Sequence, residues 1–338
     1  MTSAHFHHDP QPPCPLFVVG SGRSGTTLLR ALLNAASPYF VPPETDFIAR
    51  AFPRYGHRSD LNFRDYPLLA ALFRVTSEND GWGMSQTEVL RRLSKTAPTT
   101  FPAVNDELYR GYLASVGFGS RMWAIKRPVL VASIPRIFAV FPCAKIVHVI
   151  RDGRDVFRSY QAIHNAATKT FGPKGAVTSA LYWVDSVRRA EHYSARVHSL
   201  RYEDLLADPN ETFRRLGRYL GVSIDYEALA SYETAAANRM LLAAAERSGI
   251  HSKVLRGIDA TNVSRYKELS SAHIAQFELV GAPLLVRLGY SLEYPWTKMR
   301  WLGVGRRLAY SLGRLYNNAR YRVRDSRMCR IAAEKARL

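Results

Sequence analysis

Apolar positions in this chain fall into short unbroken runs that alternate with segments of helical spacing. Leu16–Gly20 (LFVVG) is an apolar run closed by glycine, which predicts a strand buried on both faces. Thr26–Ala36 (TTLLRALLNAA) follows with helical spacing and strong helix formers. Residues 53–121 read as mostly helical, with loops at Asn79–Gly83 and Ala97–Pro102. Trp123–Lys126 (WAIK) predicts a second strand, stopped before Pro128, and Val129–Val140 a helix. Lys145–Ile150 (KIVHVI) is the clearest central strand, and helices are expected over Asp155–Ala166 and Val177–Arg196. His198–Tyr202 predicts a fourth strand, with helices over Glu203–Leu220, 225–247 and 270–288. Strands alternating with helices predict an α/β fold, a central parallel sheet flanked by helices on both faces.

The ends differ from this middle. Residues 1–15 hold Pro10, Pro12, Pro13 and Pro15 and read as a flexible lead-in. From Trp301 onward apolar residues at 301, 304, 308, 312, 315, 319 and 323 make one helical stripe, with arginines on the other faces. The organisation expected is a lead-in over 1–15, one domain over 16–296 and a basic amphipathic tail over 297–338.

Charge sharpens this division. The chain carries 47 Lys and Arg against 28 Asp and Glu, a net of +19. Residues 297–338 alone hold 12 basic and 2 acidic residues, so about half the excess sits in the tail. Such a balance suits phosphates, an anionic membrane or nucleic acid. No DNA- or RNA-binding motif is visible, so a nucleic-acid partner is not expected. The tail's stripe suits packing on the domain or on a second subunit, and equally peripheral contact with an anionic membrane. No run of about 18 apolar residues suggests a transmembrane helix, and the N-terminus lacks the pattern of a secretory signal. Cys14, Cys143 and Cys329 are far apart without a CxxC, which predicts neither a disulfide framework nor a cysteine zinc site and suggests a reducing, cytoplasmic setting.

The chemistry begins at Gly20-Ser-Gly-Arg-Ser-Gly-Thr-Thr27, between the first strand and its helix. Successive backbone N–H groups and a helix N-terminus attract an anion there. Gly22 and Gly25 let backbone approach a phosphate, Ser24, Thr26 and Thr27 offer hydroxyls, and Arg23 supplies a fixed cation. Gly20 and Gly25 keep the spacing of GxxxxGK[ST], but Thr26 replaces the lysine, which argues against holding β- and γ-phosphates with Mg²⁺. The fold expected is therefore P-loop-like rather than that of a standard nucleotide triphosphatase. A second signal is the strand ending in Arg151 within RDGR, with Ser159 eight residues on in the next helix. A guanidinium and a hydroxyl so spaced can converge on one phosphate at the carboxyl edge of a sheet. His148, inside that strand, reads as a packing residue.

These two stretches resemble sulfotransferases that use 3′-phosphoadenosine 5′-phosphosulfate (PAPS), particularly bacterial members similar to tyrosylprotein sulfotransferases. GSGRSGTTLL is similar to their 5′-phosphosulfate loop, and Arg151 with Ser159 to their 3′-phosphate motif. The resemblance covers about residues 16–290. It implies PAPS as co-substrate, no metal, and in-line transfer of a sulfuryl group to an acceptor hydroxyl or amine, such as that of a lipid or glycan. On chemistry alone Glu44, in Val41-Pro-Pro-Glu-Thr-Asp, reads as a cap or solvated acid; the resemblance implies a general base, because a Glu-Thr pair stands 21 residues after the loop arginine. It likewise implies that Lys126 stabilises transferred oxygens and that Arg23 assists catalysis. Pro128 stands where cytosolic sulfotransferases have a histidine base. Tyr202, in RYEDL, is similar to a tyrosine near the adenine, and Arg256, Arg265 and Lys267 to a late basic segment that contacts phosphate. Asp46 replaces an arginine of the tyrosylprotein enzymes, which argues against their acidic peptide substrate. The competing readings are a P-loop nucleotide kinase-like enzyme and a non-catalytic nucleotide- or membrane-binding protein.

Overall fold

Parallel strands that carry helices on both faces must be apolar on both faces. Leu16, Phe17, Val18 and Val19 are all fully buried, as that rule requires. The computed structural model describes residues 14–77, 81–166, 172–238 and 257–294, with 311, 315, 319 and 330–334 of the tail. Five strands, β1 (Leu16–Gly20), β2 (Tyr39–Phe40), β3 (Met122–Lys126), β4 (Lys145–Ile150) and β5 (Val197–Arg201), form one sheet in the order β2-β3-β1-β4-β5. Every pairing is parallel.

Alternation along each strand divides the side chains between two cores. Phe17, Val19, Trp123, Ile125 and Ile146 pack with α2 (Phe47–Tyr55), α3 (Tyr66–Ser77), α4 (Gln86–Thr96), α5 (Phe101–Ser115) and α6 (Ile134–Val140). Leu16, Val18, Ala124, Val147, Val149 and Leu200 pack with α1 (Thr26–Ala36), α9 (Tyr202–Ala207), α10 (Pro209–Leu220) and α11 (Tyr226–Ala230). A third apolar cluster joins α7 (Gly153–Ala166), α8 (Ala176–Glu191) and α12 (Ser271–Arg287).

The departures from expectation have local causes. Strand β2 is only two residues long, too short for any periodicity to betray it. The helix expected over Glu203–Leu220 breaks at Asp208–Pro209, where the Asp208 carboxylate accepts from Glu211 N at 2.9 Å and caps α10. The helix expected over Val129–Val140 starts as a 3-10 turn over Pro128–Ser133 and becomes α-helical at Ile134. Beyond α11 the chain makes 3-10 turns at Tyr232–Thr234 and Ala236–Asn238, and the remainder of the stretch to 247 lies outside the described residues. So do residues 1–13 of the lead-in and most of the tail stripe, while the last two lead-in residues, Cys14 and Pro15, are tied to the start of β4.

The expectation of no disulfide is corrected. Cys14 and Cys143 form one, with Cα atoms 5.2 Å apart. In the β1–β4 register Leu16 faces Lys145, so the residues two positions upstream of each are brought level as well. Lateral pairing, invisible at a sequence separation of 129, makes the bond. The disulfide also removes the support that cysteine usage lent to a reducing setting. Among the described residues no helix is long and apolar enough to cross a membrane.

Candidate active site

In a parallel sheet of this order, ligands lie at the carboxyl edge where strand order reverses. Here that point is β1, flanked by β3 and β4. The turn after β1 is tight. Gly25 takes φ +94°, and a Cβ there would lie 2.2 Å from the Tyr202 ring. A Cβ on Gly22 would lie 2.2 Å from the Tyr160 hydroxyl. Gly22 N donates to Tyr182 Oη at 3.0 Å, and the Ser21 and Ser24 hydroxyls bond each other inside the turn. Thr26 and Thr27 open α1, whose first N–H groups have no partner within the helix. The loop thus has the fixed donors and close approach of an anion cradle.

The second motif arrives at the same place. Arg151, just past β4, donates to the carbonyl of Arg23 at 3.4 Å, and Arg23 Nε donates to Ser159 Oγ of α7 at 3.0 Å. The Arg151 guanidinium stacks over Tyr202, 4.5 Å from the ring centroid, and lies 3.5 Å from Asp155. It also donates to Asn262 O at 2.5 Å. Trp183 Nε1 holds the Arg151 carbonyl at 3.0 Å. Tyr202 is buried at the start of α9 and touches both halves, Gly25 and Arg151. Burial lowers the pKa of Arg23, but a guanidinium remains charged in any protein setting, so a partly buried cation faces the turn.

The third component comes from β3 and the loop after β2. Lys126 is 3 % exposed, and its Nζ lies 3.3 Å from Thr27 Oγ1. The lysine that the glycine loop lacks is therefore supplied by the neighbouring strand. Lys126 also pairs with Glu44 Oε1, and Arg127 with Glu44 Oε2. The Glu44 loop is pinned on three sides: Arg30 Nε donates to Val41 O at 2.9 Å, Val41 N to Asn34 Oδ1 at 2.7 Å, and Trp82 Nε1 to Glu44 O at 3.3 Å. Burial by itself raises the Glu44 carboxyl, but Lys126 and Arg127 outweigh it and hold the group down at about 2. Burial lowers the Lys126 ammonium, against the opposing pull of Glu44. Glu44 is thus an ionised carboxylate beside a lysine, at the opening of the loop helix.

Of the residues singled out by sequence, Gly22 to Thr27, Glu44, Lys126, Arg151, Ser159 and Tyr202 are gathered in one region by these contacts. Arg265 lies further out, linked to Asn262 Oδ1 at 3.4 Å and to Glu268 at 2.8 Å. Lys267 is exposed, and Arg256 lies outside the described residues. His148 is fully buried, and burial pulls its imidazole down to about 3, so it is a neutral packing residue as expected. Sequence reading missed Arg127, Tyr160, Tyr182 and Trp183. Only Arg127 left a signal, being a cation next to Lys126 at a strand end. Among the described residues no cluster of three or more His, Cys, Asp or Glu could hold a metal ion.

A sequence profile of the Sulfotransferase family matches residues 15–226, well over half of the chain. The omega-hydroxy-beta-dihydromenaquinone-9 sulfotransferase Stf3 of Mycobacterium bovis and of Mycobacterium tuberculosis is 27% identical over 254 residues, covering 63% of this chain. That match spans 64% of the mycobacterial relatives, just under two thirds of their length. Protein-tyrosine sulfotransferase 1 of Danio rerio is 23% identical over 289 residues, covering 81% of this chain and 72% of that protein. Among solved structures, the sulfotransferase domain of the Synechococcus PCC 7002 olefin synthase superposes with a TM-score of 0.56 at 20% identity. The superposition covers 84% of this chain and 98% of that domain, and shows the shared fold. The chain belongs to the sulfotransferase family.

Proposed function

We propose that this member of the family transfers a sulfuryl group from PAPS to an acceptor hydroxyl, with Glu44 as general base. The observation that carries the reading is the meeting of the two phosphate motifs: Arg23 donates to Ser159, and Arg151 to the Arg23 carbonyl, across separations of 136 and 128 residues. One nucleotide carrying phosphate at both ends fits a site whose cations come from two strand ends. The fit is supported by Arg23 itself, a partly buried guanidinium that has no ion pair with a carboxylate among the described residues and would gain one from an anion.

When bound, PAPS supplies an activated sulfuryl group on a good phosphate leaving group. The N–H groups and hydroxyls of the turn from Gly22 to Thr27, with Arg23, hold the 5′ end. Arg151 and Ser159 hold the 3′-phosphate, Tyr202 provides a wall for the base, and Arg265 and Lys267 add positive charge at the rim. Lys126 neutralises charge that builds near Thr27 during transfer. Glu44, already ionised, takes the proton of the acceptor hydroxyl. The reaction class is one in which positioning and electrostatics do most of the work.

The acceptor class follows the relatives only in outline. Those relatives are named for a hydroxylated menaquinone derivative and for protein tyrosine, both hydroxyl acceptors. The apolar stripe after Trp301, with arginines on the other faces, supports a peripheral contact of the tail with an anionic membrane, which would suit a lipid acceptor. Flotation with phosphatidylserine vesicles should weaken when residues 298–338 are removed; equal flotation discards that part.

Calorimetry with adenosine 3′,5′-bisphosphate tests the core of the reading. Binding should persist in EDTA and fall sharply in Arg151→Ala. Tighter binding of ATP with Mg²⁺ than of the bisphosphate would instead favour the kinase-like reading. Labelled PAPS offered with hydroxylated lipids, glycans and phenols then identifies the acceptor.

A further inference from the structure

The cluster around Glu44 holds more than a base and a lysine. Arg127 follows Lys126 at the end of β3, and its backbone N donates to Val18 O at 3.1 Å, which fixes it against β1. Its guanidinium faces two carboxylates. Nε and Nη2 fork onto the two oxygens of Asp46 at 2.7 and 3.1 Å, while Nη1 donates to Glu44 Oε2. A fork of this kind fixes the plane of the guanidinium as well as its charge.

Asp46 sits at the N-cap of α2, where an aspartate ordinarily accepts a bond from a helix N–H. Its side chain makes no cap bond. Thr45 serves the helix start instead, its Oγ1 accepting from Phe47 N at 3.0 Å. The Asp46 carboxylate is turned to arginines, Arg127 and, at 3.5 Å, Arg50. On the other side of Glu44, Lys126 is shared between Oε1 and Thr27 Oγ1 of the glycine loop. One cation therefore faces the nucleotide loop, and the other is anchored by Asp46.

We infer that Arg127, clamped by Asp46, is a positioning residue for Glu44, holding Oε2 so that Oε1 stays on the Thr27 side to receive the acceptor's proton. The inference rests on reading Glu44 as the base. Its physical sense lies in the shared lysine. Charge arriving at the loop draws Lys126 towards itself, and a carboxylate held by that lysine alone would be free to rotate. The second cation keeps it in place. Among the described residues the charged groups acting on Glu44 are Lys126 and Arg127 at the end of β3 and Arg23 on the glycine turn, while Asp46 acts on Arg127 and Arg30 of α1 on Lys126.

Difference infrared titration, wild type against Glu44→Gln, reads this carboxylate without any acceptor. The wild-type Glu44 band should stay ionised down to about pH 3, well below the ordinary carboxyl range. Arg127→Gln should raise its midpoint by about one unit or more into the measurable window. Arg127→Lys should restore most of that shift while leaving the stretching frequency altered, since an ammonium cannot reproduce the fork. Asp46→Asn should alter the Glu44 stretch by releasing Arg127. Affinity for adenosine 3′,5′-bisphosphate should match wild type in all three, which confirms an intact fold. A Glu44 midpoint and stretch unchanged in Arg127→Gln, at intact affinity, overturns the inference. Should that variant fail to fold, an unchanged stretch in Arg127→Lys overturns it equally. Failure of the base reading looks different: the spectral shifts persist, yet Glu44→Gln keeps full sulfuryl transfer, and the positioning role falls with it.

Discussion

Arg23 and Lys126 both stand at the start of α1, but their surroundings treat their charge differently. Arg23 bonds a serine hydroxyl and has no ion pair with a carboxylate among the described residues. Its neighbour Arg151 lies 3.5 Å from Asp155 and otherwise bonds carbonyls and a ring. Lys126 and Arg127, in contrast, are matched by Glu44 and Asp46. The glycine-turn side thus keeps positive charge available for an anion, and the Glu44 side uses its positive charge to hold a carboxylate ionised. A site that only bound a polyanion would have no use for the second arrangement, because each carboxylate weakens the attraction.

The largest effect should come from breaking the Glu44 side alone. Glu44→Gln should lower sulfuryl transfer by roughly 10²–10⁴-fold and leave affinity for adenosine 3′,5′-bisphosphate at the wild-type value, measured by turnover of labelled PAPS and by calorimetry. Unchanged turnover would remove the base from the proposal. The rim opposite the site comes next. Cys14→Ser should destabilise the fold by about 2–4 kcal/mol in urea unfolding, with nucleotide affinity unchanged, because the bond joins strand starts rather than strand ends. Equal unfolding midpoints with and without the disulfide would show that the sheet register alone suffices.

Breaking the glycine-turn side should give the converse of the first result. Arg151→Ala should weaken bisphosphate binding by about 10- to 100-fold, the weight of hydrogen bonds to a charged group. An undiminished affinity would separate the two phosphate motifs. Ser159→Ala, which removes one neutral hydroxyl, should cost only about 1 kcal/mol of the same affinity. The smallest effect is on stability against pH. Glu44 falls from an ordinary 4.5 to about 2 on folding. A carboxyl lowered in this way contributes stability that is present above its unfolded value and lost as pH falls towards its folded one. Tm should therefore decline more steeply between pH 4.5 and 2 in wild type than in Glu44→Gln. Parallel curves would show that the carboxylate is not held down as described.

Much of this was legible in the chain itself, and the reason is that it is local. Buried parallel strands need unbroken apolar runs, so β1, β3, β4 and β5 stand within a residue or two of where LFVVG, WAIK, KIVHVI and the run before Tyr202 predict them. The glycine turn is written in the residues that only a tight turn at a helix start requires, and Gly25 at φ +94° against the Tyr202 ring bears it out. Tertiary structure decided whatever depends on which strand lies beside which. Cys14 and Cys143 meet because β1 and β4 are neighbours in register, a relation with no trace in the spacing of three cysteines. Lys126 supplies the cation missing from the glycine loop because β3 flanks β1 on the other side. Asp46 stands at the N-cap of α2, yet its carboxylate is drawn to Arg127, which arrives from another strand. Periodicity is a property of neighbours along the backbone, whereas charge pairing acts through space. The sheet order that converts one into the other exists only once the apolar faces have been buried.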